Sequence, residues 1–242
     1  MPRRFYLPHS LASPELSLSG KEAHHLLNVL RMGVGEEAWV FDGTGEEALV
    51  RIQSHSQGTA TLEVLQRRVA ETETAVPLVL GSAVPKGERF RWMIEKLTEL
   101  GIHRFVPLET ARSIVDPGAG KLEKMRQTIV EASKQCRRSK LMQLSEPTRW
   151  KEFVSGEFPG HTVYIAHPSG EMWNSSTVDF TQPVLLAVGP EGGFADAEIE
   201  LACEQGARLV SLGPRVLRIE TAAVALATLF GAACDSRQRD VS

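Results

Sequence analysis

Two short apolar runs, each ending in a Gly-Pro turn, constrain this chain more than any other feature. Val184–Val188 leads into Gly189-Pro190-Glu191-Gly192-Gly193, and Leu209–Leu212 leads into Gly213-Pro214. A short apolar run that stops at a turn reads as a buried strand. A helical pattern over Ala195–Gln205 separates the two runs, and a second, Thr221–Ala233, follows them. Apolar strands alternating with helices build a parallel sheet with helices on its faces. Ligands bind such sheets at the carboxyl ends of the strands, which is where both turns lie.

The same alternation reaches back through the chain. Leu78–Ala83, Phe105–Leu108 and Val163–Ala166 are further predicted strands. Glu88–Leu100 is a predicted helix with Phe90, Met93, Ile94 and Leu97 on one face, closed by Gly101. Lys121–Arg138 is another, with a stripe of Leu122, Met125, Ile129, Ala132 and Cys136. Before residue 70 the pattern changes to short alternating strands, Glu37–Asp42, Ala48–Gln53 and Thr59–Val69, separated by turns, as in a small β-barrel or sandwich. One helical stretch, Ser19–Arg31, interrupts them; Ser19 and Glu22 have capping-box spacing. The polar stretch Glu71–Ala75 marks the boundary. The expected domains are therefore residues 1–72 and 73–242.

Composition limits the class of protein. The 242 residues are 42% hydrophobic and 24% charged, with a net charge of −3. That is a globular profile, and no uninterrupted apolar run approaches the roughly 20 residues of a membrane span. Cys136, Cys203 and Cys234 are odd in number and far apart, so neither a disulfide framework nor a zinc site is expected. With no apolar leader in MPRRFYLPHS, a cytoplasmic location is expected. Charge is uneven: residues 86–151 hold fifteen Lys and Arg against eight Asp and Glu. A basic middle in an acidic protein points to a polyanionic partner, with solvated helix faces as the alternative.

The glycine turns also restrict the ligand. Gly192 and Gly193 let backbone groups approach closely. The helix beyond them starts at Asp196 with Glu198 in its first turn, an acidic start that disfavours phosphate. GPEGG is neither a P-loop nor G-x-G-x-x-G. A neutral hydrogen-bonding heterocycle such as adenine suits the loop better.

GPEGGF followed by LGPRVLRIETAA resembles the C-terminal signature of the SPOUT class of RNA methyltransferases. HHLLNVLRMGVGE, VFDGTGEE, KGERFRWMIEKLTELG and EASKQCRRSK resemble successive blocks of the 16S rRNA uridine-N3 methyltransferase family, in order and over nearly the whole chain. The resemblance implies a PUA-like β-barrel at the N-terminus and a SPOUT α/β domain with a C-terminal trefoil knot. It implies S-adenosylmethionine as methyl donor, a homodimer, and a uridine of 16S rRNA in the small ribosomal subunit as target. By position, it implies a cofactor pocket of Gly189, Gly192, Gly193, Leu212, Gly213, Leu217, Arg218, Ile219, Thr221 and Ala222, with His167 at its edge. One block departs from the family: Arg137 stands where a small residue is usual.

For the chemistry, uracil N3 is a weak acid, so its anion needs a cation or donor beside O2 and O4. Arg218 and Arg138 are the candidates, with Glu191 and Glu220 as candidate proton acceptors; solvent hydroxide with no protein base is equally allowed. Glu220 is alternatively a structural partner of Arg218. For RNA contact the candidates are Arg3, Arg4, His25, Arg31, Lys86, Arg89, Arg112 and Arg138. Adjacent His24 and His25 diverge by about 100° on a helix and do not suggest a metal site. Two other functions compete: a non-catalytic rRNA-binding or ribosome-assembly protein, and a ribose 2′-O-methyltransferase.

Overall fold

The computed structural model describes the backbone of residues 3–241 and the side chains of residues 3–237. The chain divides into two compact units. The first takes the chain up to Glu73 and adds Ser133–Leu141, and the second comprises Thr74–Ala132 and Met142–Ser242. The segment 133–141 is the difference from the division expected from sequence, which assigned it to the second domain.

The first unit holds β1 (Arg4–Tyr6), β2 (Glu15–Leu18), α1 (Gly20–His24), β3 (Glu37–Phe41), β4 (Glu46–Ser56) and β5 (Thr59–Val69). Its five-stranded sheet runs β1-β3-β4-β5-β2, antiparallel except for the β1–β3 pair. Alternation along β4 and β5 sends Val50, Ile52, Ala60 and Leu62 inward, where they meet Leu26 and Phe5. Helix α1 continues as a π-helical turn, His25–Val29. The expected capping box is absent: the Ser19 side chain caps nothing, and the Glu22 carboxylate is taken by the Tyr6 amide and Lys134.

The added segment is fixed by backbone and side-chain bonds. Leu141 N–H donates to the Gly43 carbonyl and Gly45 N–H to the Ser139 carbonyl. Lys134 pairs with Glu22 at 2.8 Å, and Arg138 makes two bonds to the Glu73 carboxylate at 2.9 and 2.6 Å. Ser139 donates to Glu47 at 2.6 Å. Glu47 is only 2% exposed and also accepts from Arg4 and Arg68. Burial alone would raise its pKa. The hydrogen bonds from Ser139, Arg4 and Arg68 outweigh that and hold the carboxyl below the ordinary range.

In the second unit β6 (Leu78–Ser82), α2 (Arg89–Glu99), β7 (Arg104–Glu109), α3 (Ala119–Cys136, its last turn beyond the unit boundary), β8 (Gln143–Leu144), β9 (Thr148–Arg149), α4 (Trp150–Glu157), β10 (Thr162–Met172), β11 (Val184–Val188), α5 (Asp196–Glu204), β12 (Arg208–Ser211) and α6 (Ile219–Val241) follow. The sheet order is β12-β10-β11-β6-β7-β8, with β9 also on β7, and every pair is parallel. All five residues of β6 and of β11 are buried, as central parallel strands require. Helix α2 buries Phe90, Met93, Ile94 and Leu97. Over Ile219–Arg237, α6 is apolar enough to cross a bilayer by composition, but it packs on α2, β6 and β11 as a core helix.

β10 is longer than the predicted Val163–Ala166. Pro168 and Gly170 break the apolar pattern, yet the strand resumes after a bulge and pairs Glu171 and Met172 with Val210 and Ser211. Gly170 is essential to that return. A Cβ there would lie 2.5 Å from the Leu209 carbonyl carbon and the Val210 nitrogen, closer than atoms can approach.

Candidate active site

Three chain segments on the neighbouring strands β10, β11 and β12 enclose one cavity of about 760 Å³. They are the β10 bulge, the β11–α5 loop and the β12–α6 loop. The volume is within the range for small-molecule and cofactor sites. Apolar walls come from Val188, Leu212, Val216, Leu217, Ile219 and Ala222, and polar groups from His167, Glu191, Ser211, Arg112 and Arg215.

The first loop is held by side chains from outside it. Arg112 Nη1 donates to the Gly192 carbonyl at 2.6 Å and the Phe194 carbonyl at 3.3 Å. The Phe194 ring lies 4.4 Å from Trp150 and covers Gly189, where a Cβ would come within 3.0 Å of it. Gly193 has φ +70°, the left-handed region in which a side chain is strained. Helix α5 starts one residue earlier than an Asp196 cap would give, with Ala195 as the cap. Alanine has no side-chain acceptor, so Glu198 alone supplies the cap by accepting from the Ala195 and Ala111 amides, each at 2.8 Å. The acidic start thus fixes the loop as well as disfavouring phosphate.

Of the residues assigned to the cofactor pocket, His167, Gly189, Gly192, Gly193, Leu212, Gly213, Leu217, Ile219 and Ala222 line the cavity. Arg218 and Thr221 do not: both are exposed, and Arg218 meets α6 through its carbonyl, which accepts from Ala222 N–H. His167 Nδ1 engages Ser169 Oγ at 2.7 Å. Sequence reasoning missed Met172, Phe194, Arg215 and Val216, and gave Arg112 to RNA contact instead of to the cavity. Arg215 follows Gly213-Pro214 directly, so the turn itself was a signal for it. Arg112 is about 80 residues from the carbonyls it binds and left none.

The proposed chemical groups separate. Glu191 is exposed at the cavity wall. Glu220 is buried at 6% exposure, with Oε1 3.8 Å from Arg89, so its ionic neighbour is Arg89 and not Arg218. Arg138, at 2% exposure, is committed to Glu73 inside the first unit, which corrects its assignment to both catalysis and RNA contact. Arg4 is buried between Glu47, Ser139 and the Phe41 ring, so it too is removed from the RNA set. Arg112 works as the loop clamp. Arg3 pairs with Glu36 on the surface, Arg31 and Lys86 are exposed, and Arg89 and His25 are partly exposed.

Comparison with known proteins also separates an N-terminal from a C-terminal part, with 133–141 inside the C-terminal match. Residues 72–231 match the family model described as an RNA methyltransferase domain, and residues 18–65 match an RNA methyltransferase PUA domain. The class is thus a two-part RNA methyltransferase, a parallel-sheet catalytic domain with a PUA-like domain before it. Ribosomal RNA small subunit methyltransferase E of Bacillus subtilis is 32% identical over 222 residues, 87% of each chain. The Synechocystis protein of that name is 33% identical, covering 92% of this chain and 75% of its own. A Legionella pneumophila methyltransferase solved with the cofactor SAM superposes with a TM-score of 0.86 at 31% identity, covering 96% of this chain and 98% of that one. The Neisseria gonorrhoeae methyltransferase E, solved bound to S-adenosyl methionine, gives a TM-score of 0.87 at 27% identity, with the same coverage. The chain belongs to the ribosomal RNA small subunit methyltransferase E family.

Proposed function

We propose that this protein transfers the methyl group of S-adenosylmethionine to N3 of a uridine in the 16S rRNA of the small ribosomal subunit. The observation that carries the proposal is the single cavity that joins both glycine turns to the β10 bulge. Its apolar walls suit a purine face, and its glycine edges admit main-chain hydrogen bonding to a purine edge. When bound there, the cofactor supplies an electrophilic methyl group on a sulfonium. The chain's own part is to hold the donor and the base in line, which supplies most of the acceleration. Of the residues that line the cavity, Leu217 and Ile219 would hold the adenine face, and Gly189, Gly192, Gly193, Leu212, Gly213 and Ala222 would form the close walls, with His167 at the rim. Glu191 and Asp196 are carboxylates open to the cavity, and Glu191 is our choice of protein proton acceptor. Glu220 is a structural partner of Arg89.

RNA contact falls to Arg3, His25 and Arg31 in the first unit and to Lys86 and Arg89 in the second, working in the cytoplasm as a homodimer. Contacts of this kind release counterions, so affinity for rRNA falls steeply with salt. A salt-independent affinity removes that assignment.

A non-catalytic binder needs no such cavity, and a ribose methyltransferase would leave the base unmodified. Mass spectrometry of 16S rRNA from a deletion strain decides among the three: the base reading expects one N3-methyluridine to vanish and to return on complementation. Loss of a 2′-O-methyl mark, or no loss together with no S-adenosylmethionine binding by calorimetry, overturns it.

A further inference from the structure

The reaction needs a cation or donor beside the uracil oxygens, and the groups expected to supply it are elsewhere. Arg138 is buried against Glu73 in the first unit, and Arg218 is exposed without reaching the cavity. Arg112 reaches the cavity, but its Nη1 holds the Gly192 and Phe194 carbonyls. That leaves Arg215. It follows Gly213-Pro214, is exposed, and lines the cavity. One guanidinium nitrogen folds back over the turn, 3.7 Å from where a Gly213 Cβ would stand. Gly213 has φ +103°, so the turn that aims Arg215 depends on glycine. Among the described residues Arg215 has neither an ion pair nor a hydrogen bond, so its donors are available to a ligand. Its neighbour Val216 is 95% exposed and also lines the cavity, an apolar surface beside the cation that suits a planar base.

We propose that Arg215 is a catalytic residue that donates hydrogen bonds to the uracil carbonyl oxygens while the N3 anion forms. This rests on the base-methylation reading above. In the step, the N3 proton passes to Glu191 or to solvent hydroxide, and the electron pair left on N3 bonds the methyl carbon. The pair of the broken C–S bond remains on sulfur as the neutral thioether S-adenosylhomocysteine. Negative charge spreads from N3 onto O2 and O4 before the new bond is complete, and a guanidinium presents parallel donors that match such oxygens. Arginine stays charged throughout the working pH range, so the group is ready before the proton leaves.

The test combines three measurements on Arg215→Ala and Arg215→Lys in the full chain: single-turnover methylation of small-subunit rRNA at saturating cofactor and RNA, S-adenosylmethionine affinity by calorimetry, and RNA affinity. Loss of one donor to a developing oxyanion costs about 100-fold in rate. Arg215→Ala is therefore expected to slow methylation about 100-fold at neutral pH, with both affinities within about twofold and the deficit shrinking at alkaline pH, where hydroxide forms the anion unaided. Arg215→Lys is expected to recover part of the rate. An unchanged rate at saturation overturns the proposal, whether both affinities are intact or one has fallen, since the latter makes Arg215 a cofactor or phosphate ligand. Absence of N3 methylation by the wild-type protein would instead overturn the functional reading on which the proposal rests.

Discussion

Glu47 shows how much one buried side chain organises. It accepts from Arg4, Arg68 and Ser139, joining β1, β5 and the added segment to β4 inside the first unit. Removing one partner of a buried ion pair costs about 3 kcal/mol, because the other charge is left unsolvated. Glu47→Gln is expected to destabilise the first unit by about that much in urea unfolding. The carboxyl is held below its ordinary pKa, so its contribution is complete above the usual carboxylate range and is lost as pH falls through the lowered value. The variant should therefore lose part of the acid-side decline in stability that the wild type shows. None of this was visible in the sequence. The Glu46-Glu47 pair reads as strand-end charge, and only the return of Ser139 makes one of the two a core residue. The glycine turns were legible for the opposite reason: their chemistry lies in adjacent residues, so the pocket could be named before the fold was seen.

At the level of elements, Arg137 explains its own oddity. It directly follows the last residue of α3 and has φ +66°, the left-handed conformation that closes helices and favours glycine. The small residue usual at this position thus meets a conformational need. Arg137→Gly is expected to stabilise the protein by roughly 0.5–1 kcal/mol, read as a raised unfolding midpoint with an unchanged slope. The β10 bulge predicts the opposite sign. Gly170→Ala forces a methyl group into the Leu209–Val210 backbone, which cannot move aside. It should cost about 3 kcal/mol or more and weaken S-adenosylmethionine binding, because the same bulge lines the cavity. Calorimetry and thermal unfolding of one preparation measure both effects. Helices with a long apolar stripe, such as α2, were readable along almost their whole length. β1, β2, β8 and β9 were missed because strands of two to four residues carry too few alternations to register. α4 was missed because its buried face is only Trp150, Phe153 and Val154.

On the scale of the whole molecule, the first unit is discontinuous in sequence. A fragment ending at Glu73 has every strand of its sheet but lacks Lys134, Arg138 and Ser139, leaving Glu22, Glu73 and Glu47 without those partners. Such a fragment is expected to melt without a cooperative transition by circular dichroism, and tethering residues 133–141 to it should restore one. A cooperative melt of the short fragment would show that the segment is dispensable. The same discontinuity acts in time. During synthesis the first unit emerges early, yet the nine residues that complete it lie some sixty positions further on. On a ribosome adding about 5–20 residues per second, that gap is several seconds in which Glu22 lacks Lys134, Glu73 lacks Arg138 and Glu47 lacks Ser139. The first unit cannot finish folding until Thr74–Ala132 of the second has been made, so the unit that matches the PUA domain is completed only in chains that already carry part of the methyltransferase-domain match.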